Sequence, residues 1–332
     1  MSNLLTEIGK YTTLSIDTFT PDDAAPFPTI EFVNATSNQG IAFAIWKHNP
    51  SLIGTALAHL QSKGVVPSLD ETFVQEIIFY ATAFAGNDML KLISGRVLAQ
   101  VDPADSYNTE KVVAYALRLS SAFEDIGIPK DKFIIKIPVT YEAMLAAEIL
   151  TTKHGIACLG TVVHSLVQAV LATEAKCKYI SPYVDELKYA LDPSTYVALP
   201  SVDANYGYVM TKEIQNYFWY HKCPTKVCIA ALVGLDICLG LSGVDEMTIP
   251  PLTAKMLQDL PVPAGFEPGV SKETVVEVEK KSYIGDKDAY YAALDKIPEA
   301  KARIDFTLNT FNNFNDESKA FIKSLLLKEG VA

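Results

Sequence analysis

The feature that most constrains the fold is a regular alternation of short apolar segments with longer segments of helical periodicity. Strands that alternate with helices along one chain predict a parallel sheet covered by helices. Eight such units within 332 residues favour a closed (β/α)₈ TIM barrel over an open doubly wound sheet. The predicted strands are residues 12–17, 31–36, 96–101, the run 132–142, 156–161, 177–182, 226–232 and 246–249.

The predicted helices fill the intervals between these strands. Residues 41–63 have helical periodicity that is interrupted at Asn49 and Pro50, whereas residues 192–205 form a looser insert. Beyond Pro261 the chain becomes more charged and helical, so we expect one domain over residues 1–332 with residues 262–332 as a helical extension packed on the barrel. The other predicted helices are residues 70–84, 109–126, 140–152, 165–176, 212–222 and the amphipathic 316–329.

A single lysine, Lys136, interrupts the apolar run of the fourth predicted strand. Because side chains alternate along a strand, Ile134 and Lys136 share one face and Ile135 and Ile137 the other. Burial disfavours an ammonium and lowers its pKa, and a neutral amine can attack a carbonyl carbon to form a Schiff base. A strand-end lysine whose head group reaches water or a carboxylate is the alternative. Position in the strand alone does not decide between them.

Polar side chains follow the predicted strands at their carboxyl ends, where barrels of this class place their active sites. A Schiff-base lysine needs a carboxylate that transfers protons, donors that orient the carbonyl and a held water. Taken singly, each polar residue could instead cap a helix, hold a turn or lie in the core. Together they predict one active site. In strand order they are Asp17, Asn38, Gln100, Lys136, Thr161, Ser181 and Tyr183.

Composition and charge exclude several classes of partner. A chain with 49% hydrophobic and 20% charged residues is typical of a soluble globule. The net charge of -11 and the lack of a basic patch argue against nucleic acid or an anionic membrane. The longest apolar run, residues 227–235, is too short to span a bilayer, and residues 1–15 lack the pattern of a leader. We therefore expect a cytoplasmic protein that binds a small molecule.

No metal and no cofactor are predicted. The five cysteines form no C-x-x-C pair, and we interpret them as reduced and structural. His221, Cys223 and Cys228 are close in sequence, but their spacing fits no standard zinc site and no fourth ligand is evident. A glycine-rich phosphate loop of the Rossmann or P-loop type is also missing from the sequence.

Four motifs make the interpretation more specific. They are Tyr-Thr-Thr at 11–13 with Ile-Asp-Thr at 16–18, Asn-Ala-Thr-Ser-Asn at 34–38, Lys-Ile-Pro-Val-Thr at 136–140 and Ile-Ser-Pro-Tyr-Val at 180–184. In this order, over residues 8–260, the chain resembles the transaldolase family, including its fructose-6-phosphate aldolase branch. The resemblance implies a Schiff base on Lys136, acid/base catalysis by Asp17 and substrate binding by Asn38. It also implies that Thr161 helps to bind the catalytic water.

Three positions depart from the family pattern near the predicted lysine. Gln100 stands where the family has a glutamate, and it can orient a water but cannot take a proton. Tyr183 stands where the family has phenylalanine. Gln100 and Tyr183 together resemble the aldolase branch at these two positions, and this resemblance favours lyase-type chemistry over ketol transfer. His164 replaces an apolar residue and is either an extra acid/base or a loop histidine with a solvent partner.

The family's phosphate-binding residues are also replaced. The arginine that follows the Ser-Pro motif is Glu186 here, and the serine and arginine after the seventh strand are Leu232 and Gly234. Losing guanidinium donors and gaining a carboxylate predict a barrel mouth that repels phosphate. We therefore expect a non-phosphorylated carbonyl substrate, such as a compound of secondary metabolism.

These inferences predict a transaldolase-like class I aldolase, a lyase or transferase that forms or cleaves a C–C bond in a small carbonyl compound. Two alternatives stay open. One is an ordinary transaldolase of the pentose phosphate pathway with a rearranged phosphate site. The other is a non-catalytic paralogue that binds a ligand or partner. The resemblance further implies a homodimer through surface helices.

Overall fold

The computed structural model describes residues 3–331, so residues 1, 2 and 332 of the predicted domain lie outside the described residues. In this part, eight parallel strands close into a barrel in sequence order, with the first paired to the last. The prediction of a (β/α)₈ barrel with additional C-terminal helices is confirmed. The strands are β1 (Thr13–Ile16), β2 (Ala35–Thr36), β3 (Val97–Gln100), β4 (Phe133–Pro138), β5 (Cys158–Val163), β6 (Tyr179–Pro182), β7 (Lys226–Ile229) and β8 (Glu246–Ile249).

Helices surround the barrel and continue beyond its last strand. They are α1 (Leu4–Ile8), α2 (Pro21–Ala24), α3 (Gln39–His48), α4 (Ser51–Ser62), α5 (Glu71–Met89), α6 (Thr109–Asp125), α7 (Tyr141–His154), α8 (Leu166–Glu174), α9 (Leu187–Leu191), α10 (Tyr206–Tyr220), α11 (Leu235–Gly240), α12 (Pro251–Asp259), α13 (Lys287–Leu294) and α14 (Pro298–Lys328). Single 3₁₀ turns lie at Pro103–Asp105, Lys130–Lys132, Pro193–Thr195, Val202–Ala204 and Lys272–Thr274.

Side-chain caps determine where several of these helices begin. Asn38 accepts the Ile41 N–H at the start of α3, and Thr140 accepts the Ala143 N–H at the start of α7. Each cap satisfies an N–H group that has no partner inside the helix. Only one residue separates each cap from the end of β2 or β4, so these helices start at the carboxyl ends of the strands.

The strand side chains separate into an inner and an outer set. Leu98, Ile134, Leu159, Tyr179 and Cys228 form a cluster of their own inside the barrel, distinct from the larger core between barrel and helices. Ile135 and Ile137 belong to that larger core. The alternation predicted for the fourth strand is therefore confirmed, and Lys136 is the next inward-facing side chain after Ile134.

The second strand is shorter than predicted. The sequence predicted residues 31–36, whereas β2 contains only Ala35 and Thr36. The Asn34 side chain accepts the Arg96 N–H at 3.0 Å, and Val33 donates its N–H to Leu14 O at 2.8 Å. Side-chain oxygens of Ser15 and Asn34 thus accept the N–H groups of Asn34 and Arg96 in place of backbone carbonyls, which interrupts the regular ladder before β2.

The C-terminal region also differs from its prediction. Helix α14 has 31 residues, against the predicted 316–329, and it starts with Pro298 in its first turn. Residues 262–286, predicted as part of a helical extension, contain only one 3₁₀ turn. Helix α14 reaches the carboxyl end of the barrel, where Asn315 donates to the Asp102 carboxylate at 2.9 Å.

A buried polar network links β1, β8 and the segment before β2. Glu246, which is 2% exposed, accepts from the Ser15 hydroxyl at 2.5 Å and from the Asn34 amide at 2.7 Å. Burial raises the pKa of the Glu246 carboxyl. The network ties β8 to β1 and to the segment before β2, and so it helps to close the barrel.

Replacing Glu246 by alanine should lower the free energy of unfolding by about 2–3 kcal/mol, because two buried donors lose their acceptor. Glu246→Gln retains an acceptor oxygen of the same reach and should cost clearly less. Urea denaturation of the three proteins measures the difference. Equal losses for both variants would contradict a role for these hydrogen bonds.

Candidate active site

Lys136 lies in a cavity of about 810 Å³ at the carboxyl end of the barrel. Of the sequence-predicted residues, Asp17, Asn38 and Tyr183 line this cavity together with Lys136. They come from four different strands or the loops that follow them, which is how barrels of this class assemble an active site. We call this space the Lys136 cavity.

The amine of Lys136 is buried in the barrel. The residue is 2% exposed, and burial lowers its pKa below the ordinary 10.5, while the charge of Asp17 opposes part of this shift. A lower pKa increases the fraction of neutral amine near neutral pH. Of the alternative interpretation, a head group that reaches bulk water does not fit this burial, whereas a carboxylate, that of Asp17, does interact with the amine.

Asp17 directly follows β1 and faces the same cavity. The Thr36 hydroxyl donates to its carboxylate, and the Thr36 and Thr248 hydroxyl oxygens are 3.1 Å apart. Desolvation raises the pKa of Asp17, although the charge of Lys136 and the Thr36 hydrogen bond oppose this shift. The two shifts favour a neutral amine beside a carboxyl group that can hold or release a proton.

Thr161 is connected to the cavity through Tyr183. Its hydroxyl donates to the Tyr183 phenol oxygen at 3.3 Å, and Tyr183 lines the cavity. Burial raises the pKa of Tyr183 well above its ordinary value, so the phenol keeps its proton. The two hydroxyl groups form a chain of donors and acceptors that leads from β5 to the cavity.

Asn38 serves two purposes at once. Its side-chain oxygen accepts the Ile41 N–H at 3.0 Å as the cap of α3, and the residue also lines the cavity. The capping interpretation and the cavity position are compatible, because the cap uses the oxygen and leaves the amide N–H₂ group uncommitted.

Gln100 and Ser181 do not line the Lys136 cavity among the described residues. Gln100 pairs with Lys136 in strand register, but its amide donates to the Gln39 side chain at 2.8 Å. Its own side-chain oxygen is buried and has no hydrogen-bond partner in the described part of the chain. Ser181 is buried within β6. The water-binding role of Gln100 stays a prediction.

His164 is buried, in contrast to a solvent-exposed loop histidine. It is 1% exposed, and within residues 3–331 neither ring nitrogen has a hydrogen-bond partner. Burial and the charge of Arg303 lower its pKa to about 3, so the ring is neutral at physiological pH. It stacks edge-on against Tyr183 with ring centroids 5.5 Å apart. An acid/base role for His164 stays a prediction.

The three residues at the predicted phosphate positions lie outside the Lys136 cavity. Leu232 is fully buried, and Glu186 forms an ion pair with Lys188 at 2.7 Å. A Cβ atom on Gly234 would lie 2.4 Å from the Tyr196 hydroxyl oxygen. A larger side chain at Gly234 would therefore require Tyr196 to move.

Asp185, next to the predicted Glu186, was not among the residues predicted from the sequence. Its carboxylate accepts the N–H groups of Val233 at 2.9 Å and Gly234 at 3.1 Å, and the Asn205 amide at 2.8 Å. The residue is 2% exposed, and burial raises its pKa. Two neighbouring acids directly after the Ser-Pro motif were the signal in the sequence.

Gln168 was also missed, because one glutamine in an apolar helix carries no pattern. Its side-chain oxygen accepts the His164 N–H at 2.8 Å, and its amide donates to Val139 O at 2.9 Å and Val162 O at 2.8 Å. Val162 has a φ of 59°, a left-handed conformation that is strained for a β-branched residue. Gln168 thus holds the loops after β4 and β5.

Aromatic residues of α14 form the third feature that the sequence did not indicate. Phe311 and Phe314 line the Lys136 cavity together with Phe43 of α3. We call these three residues the aromatic wall. They are distant in sequence and meet only because α14 packs against α3.

The described part of the chain contains no cluster of three or more His, Cys, Asp or Glu side chains suited to a metal. Among the helices of residues 3–331, none is both long and apolar enough to cross a membrane.

Gln168→Leu should lower the free energy of unfolding by about 2–3 kcal/mol, because the buried Val162 carbonyl and the His164 N–H lose this partner and the Val139 carbonyl keeps only the Tyr290 hydroxyl. Gln168→Glu keeps the acceptor for His164 but loses both donors, so we expect an intermediate loss. Chemical denaturation measures both variants. A Gln168→Leu protein as stable as the original would show that these loops are held by other contacts.

Comparison with known proteins agrees with the geometry. A family model described as Transaldolase/Fructose-6-phosphate aldolase matches residues 16–323. The chain is 34% identical over 261 residues to a transaldolase of Gibberella intermedia, covering 76% of this chain and 78% of that protein. It is 28% identical over 315 residues to a probable transaldolase of Drosophila melanogaster, covering 92% and 87%. The chain therefore belongs to the transaldolase/fructose-6-phosphate aldolase family, and it is an enzyme of the aldolase and transferase type.

Proposed function

We propose that this enzyme is a class I aldolase that forms a Schiff base between Lys136 and a non-phosphorylated carbonyl compound. The position of the Lys136 amine supports the Schiff base, since the amine is buried, has a lowered pKa and faces a large cavity. The buried carboxylate of Asp185, next to the predicted phosphate position Glu186, supports a non-phosphorylated substrate because it already binds two N–H groups of the loop after β7.

The neutral amine of Lys136 attacks the carbonyl carbon of a donor, the protonated Asp17 carboxyl group gives its proton to the carbinolamine oxygen, and loss of one water gives an iminium beside the Asp17 carboxylate. Asp17, as a carboxylate, removes a proton from the adjacent carbon, and the electron pair forms an enamine. The enamine carbon bonds to the carbonyl carbon of an aldehyde, whose oxygen takes the proton from Asp17. One water then hydrolyses the iminium and restores the amine, so water is conserved over the cycle. Cleavage is the reverse sequence.

Three hydroxyl and amide groups around Lys136 have roles in this scheme. Asn38 orients the substrate oxygen with its free amide N–H₂ group. The Tyr183 hydroxyl and Thr161 hold and position the water that enters and leaves, since they are connected at 3.3 Å. Tyr183 donates rather than ionises, because burial raises its pKa.

The loop after β7 offers no free backbone donors to a phosphate at Val233 and Gly234. The N–H groups of Val233 and Gly234 are already bound by the Asp185 carboxylate, so a second anion cannot use them. Nearby, Arg303 is paired with Glu299 at 2.8 Å and lies 3.9 Å from Glu186. The carboxylates therefore occupy the donors and neutralise the cation that a phosphate would need.

An ordinary transaldolase is the second candidate, and a specific observation favours it. Lys47 and His48 line the outer part of the Lys136 cavity and could attract an anion there. The relatives named above are transaldolases. Against this, Glu317 lines the same part of the cavity with the opposite charge.

Borohydride reduction in the presence of hydroxyacetone should trap a stable adduct on Lys136, detectable by mass spectrometry. The Lys136→Met variant should form none, whereas Lys132→Met, which changes a lysine just before the same strand, should form it normally. An adduct that persists in Lys136→Met, or no adduct with any small ketone, would contradict the proposed Schiff base.

The rate of adduct formation should rise with pH and level off below the ordinary lysine value of 10.5. The sign follows from burial: the Lys136 pKa is lowered, so the reactive neutral form is complete at a lower pH than for an exposed lysine. Trapping rates between pH 5 and 11 measure this. A rate that still climbs through pH 10.5 would indicate an amine with an unshifted pKa.

For matched substrates, kcat/KM should be at least about tenfold lower for the phosphorylated compound, a difference of about 1.4 kcal/mol. Dihydroxyacetone and dihydroxyacetone phosphate, used as donors with the same aldehyde, are such a pair. Glu186→Gln should bring the kcat/KM values of the two compounds closer together, because it removes one carboxylate beside Arg303. Glu267→Gln, on the loop that packs against Gly243 before β8, should leave their ratio unchanged. Efficient turnover of fructose 6-phosphate with erythrose 4-phosphate would instead establish the ordinary transaldolase.

A further inference from the structure

We infer that the carbonyl substrate carries an apolar group, an alkyl chain or an aromatic ring, and that the aromatic wall of the Lys136 cavity binds it. This inference rests on the proposed function, because it takes the Lys136 amine as the point where the carbonyl group binds. It assigns a binding role to α14, the helix that lies outside the (β/α)₈ repeat.

The lining of the cavity changes in character from its base to its side. At the base it is polar, with Lys136, Asp17, Asn38 and Tyr183. Its side is built almost entirely from apolar side chains, including the aromatic wall. The larger apolar residues beyond that wall are Ile41, Leu187, Leu191, Pro250 and Pro251, and four alanines also line the cavity.

The aromatic wall begins directly beside the polar base. The Phe314 ring packs against the backbone at Gly40, where a Cβ atom would lie 3.2 Å from two ring carbons and 3.3 Å from the Asn38 side-chain oxygen. A substrate whose oxygen reaches Asn38 therefore has an aromatic surface within van der Waals reach of its next atoms. The ring centroids of Phe43 and Phe314 are 6.3 Å apart, so these two rings of the aromatic wall are neighbours.

The volume exceeds what the reacting carbonyl atoms alone require. At about 810 Å³, the cavity lies near the upper end of the range for small-molecule sites, about 300–1,000 Å³. A polyhydroxylated substrate would leave its hydroxyl groups against phenyl rings without hydrogen-bond partners, which is unfavourable. An apolar group gains free energy on the same surface as it leaves water.

The charged residues of the cavity lie at its outer part. Lys47, His48 and Glu317 are exposed to solvent, and the Lys47 ammonium lies 5.0 Å from the centre of the Phe43 ring. Lys47 therefore borders the aromatic wall at Phe43, whereas Phe314 next to Asn38 has no such cation over its ring among the described residues. The apolar group of the substrate would lie between this outer part and the polar base.

The test uses methyl ketones from butanone to octan-2-one and measures the concentration that gives half of the maximal borohydride-trapped adduct on Lys136. This concentration should fall by up to about fourfold for each added methylene until the aromatic wall is covered. A series with no dependence on chain length, in a protein that does form the adduct, would overturn the inference and leave the proposed function intact.

Two variants on α14 distinguish the wall from general hydrophobicity. In Phe314→Ser, the concentration that gives half of the maximal adduct should depend less on chain length, because the variant lacks the ring next to Asn38. Phe321→Ser provides the matched control, since Phe321 is also a half-buried phenylalanine of α14 in contact with Phe43 but does not line the cavity. Equal slopes for both variants would overturn the inference, and thermal unfolding shows that each protein is folded.

A second measurement does not depend on Schiff-base chemistry. Binding of 1-alkanols from butanol to octanol to the unmodified protein, followed by calorimetry, should strengthen with each methylene and weaken in Phe314→Ser. If alkanol binding shows this pattern but no ketone forms an adduct, the proposed function fails and the apolar site stands. If alkanol binding shows no such pattern, the inference of an apolar site is wrong, whether or not Lys136 forms an adduct.

Discussion

The burial of the Lys136 amine next to the Asp17 carboxyl group is the constraint on which the rest of the site depends. A charged ammonium inside a barrel is unfavourable, so the environment lowers its pKa and raises that of Asp17. The polar groups needed to hold such a pair come from neighbouring strands, as the Thr36 hydroxyl on Asp17 illustrates. Closure of the barrel is therefore a requirement of the chemistry as well as of the fold.

The loops at the carboxyl end of the barrel are held by buried polar side chains that do not face the substrate. Gln168 fixes the loops after β4 and β5, and it keeps Val162 in a strained conformation. Asp185 fixes the loop after β7 through two N–H groups. The same interaction that orders this loop also occupies the donors that a phosphate would use, so loop stability and the proposed substrate preference have one physical cause.

The C-terminal helix connects the barrel to the specificity we propose. Asn315 binds Asp102 near the end of β3, and this contact sets α14 across the mouth with Phe311 and Phe314 turned to the cavity. The polar base of the cavity comes from the barrel and the apolar side largely from helices. In this arrangement the reacting atoms and the apolar part of a substrate are bound by different parts of the chain.

Much of the barrel could be predicted because its signals are local. Eight apolar segments between helical segments identify the fold class, and alternation along one strand places Lys136 on the inner face. Local patterns were less reliable where a side chain takes over a backbone partner. Asn34 shortens β2 in this way, and a 31-residue helix appeared where only its last turns had an evident apolar pattern.

The sequence by itself determined the barrel, the lysine and the order of the polar residues at the strand ends, because each follows from periodicity and motifs within a few consecutive residues. Only the tertiary structure decided which of these residues share the cavity, that His164 is buried, that Asp185 binds the loop after β7, and that Phe314 lies beside Asn38. These are contacts between residues far apart in the chain. Their geometry depends on how the helices pack on the closed barrel, and a local sequence pattern does not predict that packing.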